Sequence, residues 1–210
     1  MPKALLQQRL QLYVIPDRAL GRGRSLLEQT ERALQGGATA IQLRDKQAGG
    51  RELHEIACAM KQVCVAHGAL LIVNDRLDVA LACGADGVHL GHEDLPVCVA
   101  RAMAPPGFLI GASASSHFER ERAESEGADY LGVGAVFTTP TKKDAEWVGL
   151  EGLREICAAT HLPTVAIGGI QQGNAKEALQ AGAGGLAIIS AIIAQDDVAA
   201  AARAFRQLLD

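Results

Sequence analysis

The chain has 210 residues, of which 49% are hydrophobic and 3% aromatic, with 23 glycines and a formal net charge of -4. It is too apolar and too weakly charged to be disordered, and four Phe, two Tyr and one Trp are too few for base-stacking platforms on single-stranded nucleic acid. An isoelectric point near 5.9 gives no basic footprint for a phosphate backbone, although a local anion site remains allowed.

In chain order, eight short apolar runs read as strands buried on both faces: residues 12–15, 40–43, 70–73, 87–90, 109–112, 130–133, 164–167 and 186–189. Segments with helical spacing separate them. The first carries Leu26, Leu27, Thr30, Ala33 and Leu34, and the others span 51–67, 76–83, 95–103, 117–126, 150–160, 173–181 and 198–209. A Gly-Ala phrase (Gly37-Ala38, Gly84-Ala85, Gly127-Ala128, Gly182-Ala183) follows four helical segments and precedes four strands. Glycine accepts the left-handed conformation just past a helix end, so the phrase reads as a helix-to-strand joint.

Strand and helix in strict alternation give a parallel sheet with helices outside. Eight units favour one compact TIM (β/α)8 barrel domain over residues 1–210, in the α/β class, although such barrels usually take about 250 residues. A doubly wound sheet is the alternative, and the lack of GxGxxG after the first strand weighs against its dinucleotide-binding form. No run of about 18 uncharged apolar residues suggests a membrane span, and residues 1–14 lack the apolar stretch of a secretory signal. Cys58, Cys64, Cys83, Cys98 and Cys157 are odd in number and lack a CxxC pair, which fits buried free thiols in a reducing cytoplasm.

In this fold the chemistry lies at the C-terminal ends of the strands. The second strand runs into Gln42-Leu43-Arg44-Asp45-Lys46, and alternation puts Gln42, Arg44 and Lys46 on one side with Leu43 opposite. Polar and cationic side chains at the mouth of a buried strand call for a ligand, or for a rim salt-bridge cluster with Asp45. The third strand ends in Asn74-Asp75 and the fourth leads to His92-Glu93-Asp94. Asp75 and Asp94 can share one Mg²⁺, which takes one or two carboxylates and keeps its other positions for water and phosphate oxygens. Each could instead cap the helix that follows it. After the fifth strand Ser113, Ser115 and Ser116 can bond a ligand or cap the helix from His117. After the sixth, Thr139-Pro140-Thr141-Lys142-Lys143 forms an oxyanion cradle or a solvated loop. Gly168-Gly169 and Ser190, after the last two strands, stand where this fold commonly binds phosphate, although a double glycine also suits a tight turn. The pattern implies two anionic groups, one near Arg44, Lys46, Asn74, Lys142 and a metal, the other near Gly169 and Ser190. That describes a metal-assisted enzyme for phosphorylated small molecules.

Gln42-Leu43-Arg44-Asp45-Lys46, Asn74-Asp75, the run from Asp86 through Gly87-Val88-His89-Leu90-Gly91-His92 to Asp94, Thr139-Pro140-Thr141-Lys142 and Ala166-Ile167-Gly168-Gly169-Ile170 occur in order between Tyr13 and Ile192. Together they resemble the thiamine phosphate synthase family. The resemblance implies a transferase of thiamine biosynthesis. It would condense 4-amino-2-methyl-5-hydroxymethylpyrimidine diphosphate with 4-methyl-5-(2-hydroxyethyl)thiazole phosphate through a dissociative, carbocation-like step. The products would be thiamine phosphate and pyrophosphate. It implies that Gln42, Leu43, Arg44, Asp45, Lys46, Asn74 and Lys142 contact the pyrimidine diphosphate, that Asp75 and Asp94 hold one Mg²⁺ per active site, and that Ser113 meets the pyrimidine. Thr139, Pro140 and Thr141 would line the thiazole, and Gly169, Ile189 and Ser190 its phosphate. Catalysis would fall to Arg44, Lys46, Lys142 and Ser113.

The implied partners are the two small phosphorylated substrates, with no nucleic acid and no membrane, in the cytoplasm; a homo-oligomer is compatible with the sequence. Two positions depart from the family pattern: Ser115 stands where histidine is frequent, and His92 where glutamine is usual. The rival readings are a related thiazole tautomerase on the same barrel and a non-catalytic phosphate-ligand binding protein. Asp94 and Lys142 favour the synthase over the first, and both metal carboxylates speak against the second.

Overall fold

A computed structural model describes residues 1–138 and 147–209. Eight parallel strands close into a barrel in sequence order: β1 (Leu12–Val14), β2 (Ala40–Leu43), β3 (Leu70–Asn74), β4 (Gly87–Leu90), β5 (Leu109–Ala114), β6 (Tyr130–Val133), β7 (Thr164–Ile167) and β8 (Gly185–Ile188), with β8 pairing back onto β1. The helices are α1 (Lys3–Arg9), α2 (Leu26–Gln35), α3 (Gly50–Ala66), α4 (Leu77–Ala82), α5 (Val97–Met103), α6 (His117–Glu126), α7 (Gly149–Ala159), α8 (Ala175–Gln180), α9 (Ser190–Ile193) and α10 (Val198–Arg206). The closed barrel excludes the doubly wound alternative.

Two strands run further than their apolar residues. β3 continues to Asn74, paired with His89, and β5 to Ala114, paired with Val133. The backbone ladder extends because its neighbours continue, whatever the side-chain polarity. The first helix, α1, carries no strong periodic signal. It exists because Leu6 and Leu10 pack with Tyr13, Leu70, Leu109 and Val165 inside the barrel and close its N-terminal end.

All four Gly-Ala joints have a left-handed glycine, with φ of 95° at Gly37, 65° at Gly84, 93° at Gly127 and 105° at Gly182. In each the alanine N–H returns to a helix carbonyl, as from Ala38 to Ala33 at 3.1 Å and from Ala128 to Ala123 at 2.9 Å. Gly68-Ala69 is a fifth such joint, with φ 67° and a bond from Ala69 to Cys64 at 2.9 Å. In three of these joints the side chain of the residue after the alanine then caps a neighbouring strand. Thr39 Oγ1 accepts from the Leu12 N–H at 3.0 Å, Asp86 Oδ2 from Leu71 at 2.8 Å and Asp129 Oδ2 from Ile110 at 2.7 Å. These joints therefore stabilise the end of the barrel opposite the chemistry.

Alternation along the strands divides the core in two. Leu43, Leu71, Val73, Val88, Ile110, Leu131, Ala166 and Leu186 face the helices, whereas Tyr13, Ala40, Ile72, Tyr130, Val165 and Ala187 fill the lumen. All five cysteines are free, but only Cys64 is buried; Cys98 is exposed on α5 and the others are half-buried. The expectation of uniformly buried thiols therefore fails. The outer faces of the helices meet solvent, and a residue there is exposed whatever its hydrophobicity. No described helix is long and apolar enough to cross a membrane.

Candidate active site

The lumen beneath the C-terminal mouth is crossed by a chain of polar side chains. Gln42 Nε2 donates to the Tyr13 hydroxyl at 2.9 Å, and the Tyr13 and Tyr130 hydroxyls meet at 3.0 Å. Tyr130 lies 3.2 Å from His89 Nδ1, and His89 Nε2 lies 3.2 Å from Ser113 Oγ. Glycines make room for the rings. A Cβ on Gly111 would fall 2.1 Å from Tyr130 Cζ, and one on Gly132 would fall 2.9 Å from His89 Cε1. Burial pushes both phenols above their ordinary pKa, so they stay neutral donors and acceptors. Tyr13, His89 and Tyr130 were missed by a reading of strand ends alone. Their signal is a polar or aromatic residue at an inward position of an otherwise aliphatic strand.

Above this floor sit the charged groups. Arg44 is half-buried and Lys46 exposed just beyond β2, and Lys46 Nζ lies 3.3 Å from Asp75 Oδ2. Asp75 takes a left-handed φ of 62°, one of two non-glycine residues to do so among those described. This sparsely populated conformation is the kind held in place at functional sites. Asp75 does not cap α4: the residue before that helix is Arg76, and no side chain caps its amides. Its carboxyl lies beside that of Asp94 instead. Burial, then the adjacent Asp94, push the Asp75 carboxyl above its ordinary pKa, with Lys46 opposing. Asp94 does not cap α5 either; that position belongs to Pro96, and Asp94 Oδ2 accepts from the Gly91 N–H at 2.7 Å. Neither helix-cap reading of these two carboxylates holds.

Two carboxylates in contact are unfavourable as a pair of like charges, and a hard divalent cation between them would relieve that. Among the described residues no group of three or more His, Cys, Asp or Glu is placed to hold a metal. Two carboxylates side by side are the donor set that Mg²⁺ asks of a protein when water and phosphate oxygens fill its other positions.

Two residues of the predicted set point elsewhere, as does Ser115. Leu43 packs its side chain among the helices, so only its backbone faces the mouth. Asp45 is engaged by Arg18 and accepts from the Gln47 N–H at 3.0 Å and the Ala48 N–H at 3.2 Å, so its carboxylate braces the loop after β2. This is the rim salt bridge, made with Arg18 rather than with Arg44 or Lys46. Ser115, beyond Ser113, gives both its N–H and its hydroxyl to Glu119 Oε2 at 2.6 Å, while Ser116 caps α6.

On the other side of the mouth, Gly168 and Gly169 have φ of 99° and 66°. A Cβ on Gly169 would fall 2.6 Å from the Thr138 carbonyl, so a close backbone approach requires glycine there. Asn174 braces this loop by donating from Nδ2 to the Gly169 carbonyl at 3.1 Å. Ile189 and Ser190 are half-exposed, and Ser190 opens the short helix α9. Asn74 is half-buried beside Asp75. Thr139, Pro140, Thr141 and Lys142 lie outside the described residues. A cavity of about 260 Å³ opens at the opposite end, against Met1, Pro105 and Phe108, but its carboxylate, Asp86, is already taken by Lys61 and the Leu71 N–H.

Fold and mouth together define a (β/α)8-barrel enzyme. The family model for thiamine monophosphate synthase matches residues 12–192. A thiamine-phosphate synthase of Coprothermobacter proteolyticus is 55% identical over 207 residues, covering 99% of this chain and 98% of the relative. One from Pyrococcus furiosus is 49% identical, covering 98% and 97%. The solved structure of a thiamine phosphate pyrophosphorylase from Pyrococcus furiosus superposes with a TM-score of 0.91 at 48% identity, covering 97% of each chain. A 3-hexulose-6-phosphate synthase, 19% identical with a TM-score of 0.67, shares the fold. The chain belongs to the thiamine monophosphate synthase family of transferases.

Proposed function

We propose that the enzyme joins 4-amino-2-methyl-5-hydroxymethylpyrimidine diphosphate to 4-methyl-5-(2-hydroxyethyl)thiazole phosphate, forming thiamine phosphate and releasing pyrophosphate. The observation that carries this reading is the meeting of Lys46 with the paired carboxyls of Asp75 and Asp94 at the barrel mouth, just beyond the strand end that carries Arg44. Asp75 and Asp94 would hold one Mg²⁺, which when bound neutralises charge on the departing pyrophosphate. Arg44, Lys46 and Lys142 would supply cationic donors to the same oxygens, which is electrostatic catalysis. Gln42 and Asn74 orient the pyrimidine diphosphate, and Ser113 faces the pyrimidine with its hydroxyl held by His89.

The carbon–oxygen bond to the diphosphate breaks, and the aminopyrimidine supports the positive charge left on its exocyclic carbon. The thiazole nitrogen then donates the electron pair of the new carbon–nitrogen bond. Gly169, Ile189 and Ser190 would anchor the thiazole phosphate, and Thr139, Pro140 and Thr141 would contact the ring, so that this nitrogen faces the carbon. No protein nucleophile is needed. The Ser113–His89 pair resembles an activated serine, but His89 Nδ1 faces the neutral Tyr130 hydroxyl rather than a carboxylate. A neutral phenol does not stabilise an imidazolium as a carboxylate does. We place the reaction in the reducing cytoplasm, in keeping with five free cysteines, and read residues 1–210 as one barrel domain.

One assay tests the reading: both substrates are mixed with Mg²⁺ and pyrophosphate is measured. Release that EDTA abolishes is expected. Interconversion of thiazole isomers without pyrophosphate release would favour the tautomerase, and binding without turnover a ligand-binding protein.

A further inference from the structure

Glu119 occupies the third position of α6, where a glutamate ordinarily reaches back to the N–H of the cap residue. Here the cap is Ser116, whose N–H the carboxylate also meets, and Oε2 in addition takes both the N–H and the hydroxyl of Ser115, each at 2.6 Å. Its other oxygen, Oε1, lies 3.3 Å from His92 Nδ1, on the loop after β4. One half-buried carboxylate thus bridges two strand-end loops. Helix capping alone accounts for Oε2 and leaves the His92 contact unexplained.

One loop carries Asp94 of the proposed site, and the other follows the strand that carries Ser113. Ser115 lies two residues past Ser113. His92 lies inside the turn closed by the bond from the Gly91 N–H to Asp94 Oδ2, 2.7 Å long. What fixes His92 therefore fixes the backbone that aims Asp94. We propose that Glu119 is a positioning residue that ties the Asp94 turn to the Ser113 strand end, holding the metal carboxylate and the pyrimidine-facing hydroxyl in register. This rests on the reading of Asp75 and Asp94 as ligands of a divalent cation. The role belongs to the Glu119–His92 contact, and neither residue touches substrate.

The test uses Mn²⁺ with inorganic pyrophosphate as the probe, its binding followed by electron paramagnetic resonance, alongside thermal unfolding. His92→Ala keeps the cap of α6 and removes the bridge. Its Mn²⁺ affinity is expected to fall about tenfold with an unchanged melting temperature, the scale on which outer partners support metal ligands. His92→Asn, whose Nδ2 stands near the place of the imidazole Nδ1, is expected to recover most of that affinity. Glu119→Gln should weaken binding similarly and raise the Mg²⁺ concentration needed for half-maximal turnover more than it lowers kcat at saturation. Wild-type binding that His92→Ala leaves untouched would overturn the inference alone. A wild-type protein that binds no Mn²⁺, and behaves as Asp94→Asn does, would overturn the metal reading and this inference with it.

Discussion

The hydroxyls of Tyr13 and Tyr130 meet at 3.0 Å inside the barrel, their rings edge to face with centroids 6.2 Å apart. They are the two tyrosines of the chain, and both are buried. A hydrogen-bonded chain from Gln42 through both phenols and His89 to Ser113 makes the floor of the mouth. In one consistent assignment each group donates to the next, so both phenol hydroxyls, both His89 ring nitrogens and the Ser113 hydroxyl have a partner. Tyr130→Phe would interrupt it in the middle. The expected cost is about 1–3 kcal/mol, because the buried Tyr13 hydroxyl and His89 Nδ1 each lose a partner. Thermal unfolding measures that loss. A rise in KM for the pyrimidine substrate should accompany it, since Ser113 loses its braced histidine. An unchanged melting temperature would show that the chain contributes nothing to stability.

Gly111 makes this arrangement possible. The Tyr130 ring occupies the space a Cβ would take, at 2.1 Å from Cζ, and its hydroxyl is held by Tyr13 and His89. Gly111→Ala is therefore expected to destabilise by about 1–3 kcal/mol, as overpacking in a core does. Gly173→Ala is the control: nothing lies within 4 Å of a Cβ there, and its φ is not positive. It should leave stability unchanged or raise it by up to about 1 kcal/mol. Equal effects at the two positions would contradict the packing argument.

These positions also mark how far the sequence could be read. The apolar runs and Gly-Ala joints were legible because each follows from a local rule: a strand buried on both faces must be apolar, and a helix that turns into a strand needs a left-handed residue. Arg44, Lys46, Asp75 and Asp94 stood out because charged groups at the end of a buried strand need an explanation. The helix-cap alternative for Asp75 and Asp94 could be dismissed only with coordinates, since the left-handed φ of Asp75 carries no sequence signal. Tyr13, His89 and Tyr130 were hidden because each is unremarkable alone and meets its partners only when distant strands close the barrel. Arg18 and Glu119 were hidden for the same reason: their partners Asp45 and His92 lie on other loops.

Arg18 has a pH signature. Asp45 is almost fully buried, its side chain 3% exposed, while Arg18 is 46% exposed. Burial opposes ionisation of Asp45, but Arg18 and the Gln47 and Ala48 N–H groups outweigh it and hold the carboxyl below its ordinary pKa. A depressed folded-state pKa gives stability that is fully present above the unfolded value, about 3.9, and lost as pH falls through the folded one. Denaturant unfolding from pH 6 downward should show stability declining below about pH 4. Asp45→Asn should be less stable at pH 6 and should lose part of that slope. A variant that tracks the wild type at every pH would remove Asp45 from the account.

Lys142 tests the leaving-group argument. Lys142→Ala is expected to keep the melting temperature and lose about two orders of magnitude in pyrophosphate release, the scale of one electrostatic stabiliser. An unaltered rate would contradict the role given to this lysine.

Asp94→Asn separates function from stability most sharply. Without a cation, burial and then the neighbouring Asp94 disfavour ionisation of Asp75. An asparagine at 94 keeps an oxygen for the Gly91 N–H, now at 2.7 Å from Asp94 Oδ2, and an amide able to donate to the Asp75 carboxylate. The like-charge contact becomes a hydrogen bond. The metal-free variant should therefore melt at least as high as the metal-free wild type. Turnover should fall by about two orders of magnitude or more, because a stabiliser of the leaving group is lost. Such opposed effects are expected where a site holds groups in an arrangement suited to a ligand rather than to the empty fold. Melting curves with and without Mg²⁺ complete the test. Wild type should gain stability from Mg²⁺ with pyrophosphate, and Asp94→Asn should gain little. A variant that melts lower without metal and still responds fully to Mg²⁺ would show that Asp94 supports the loop rather than the cation.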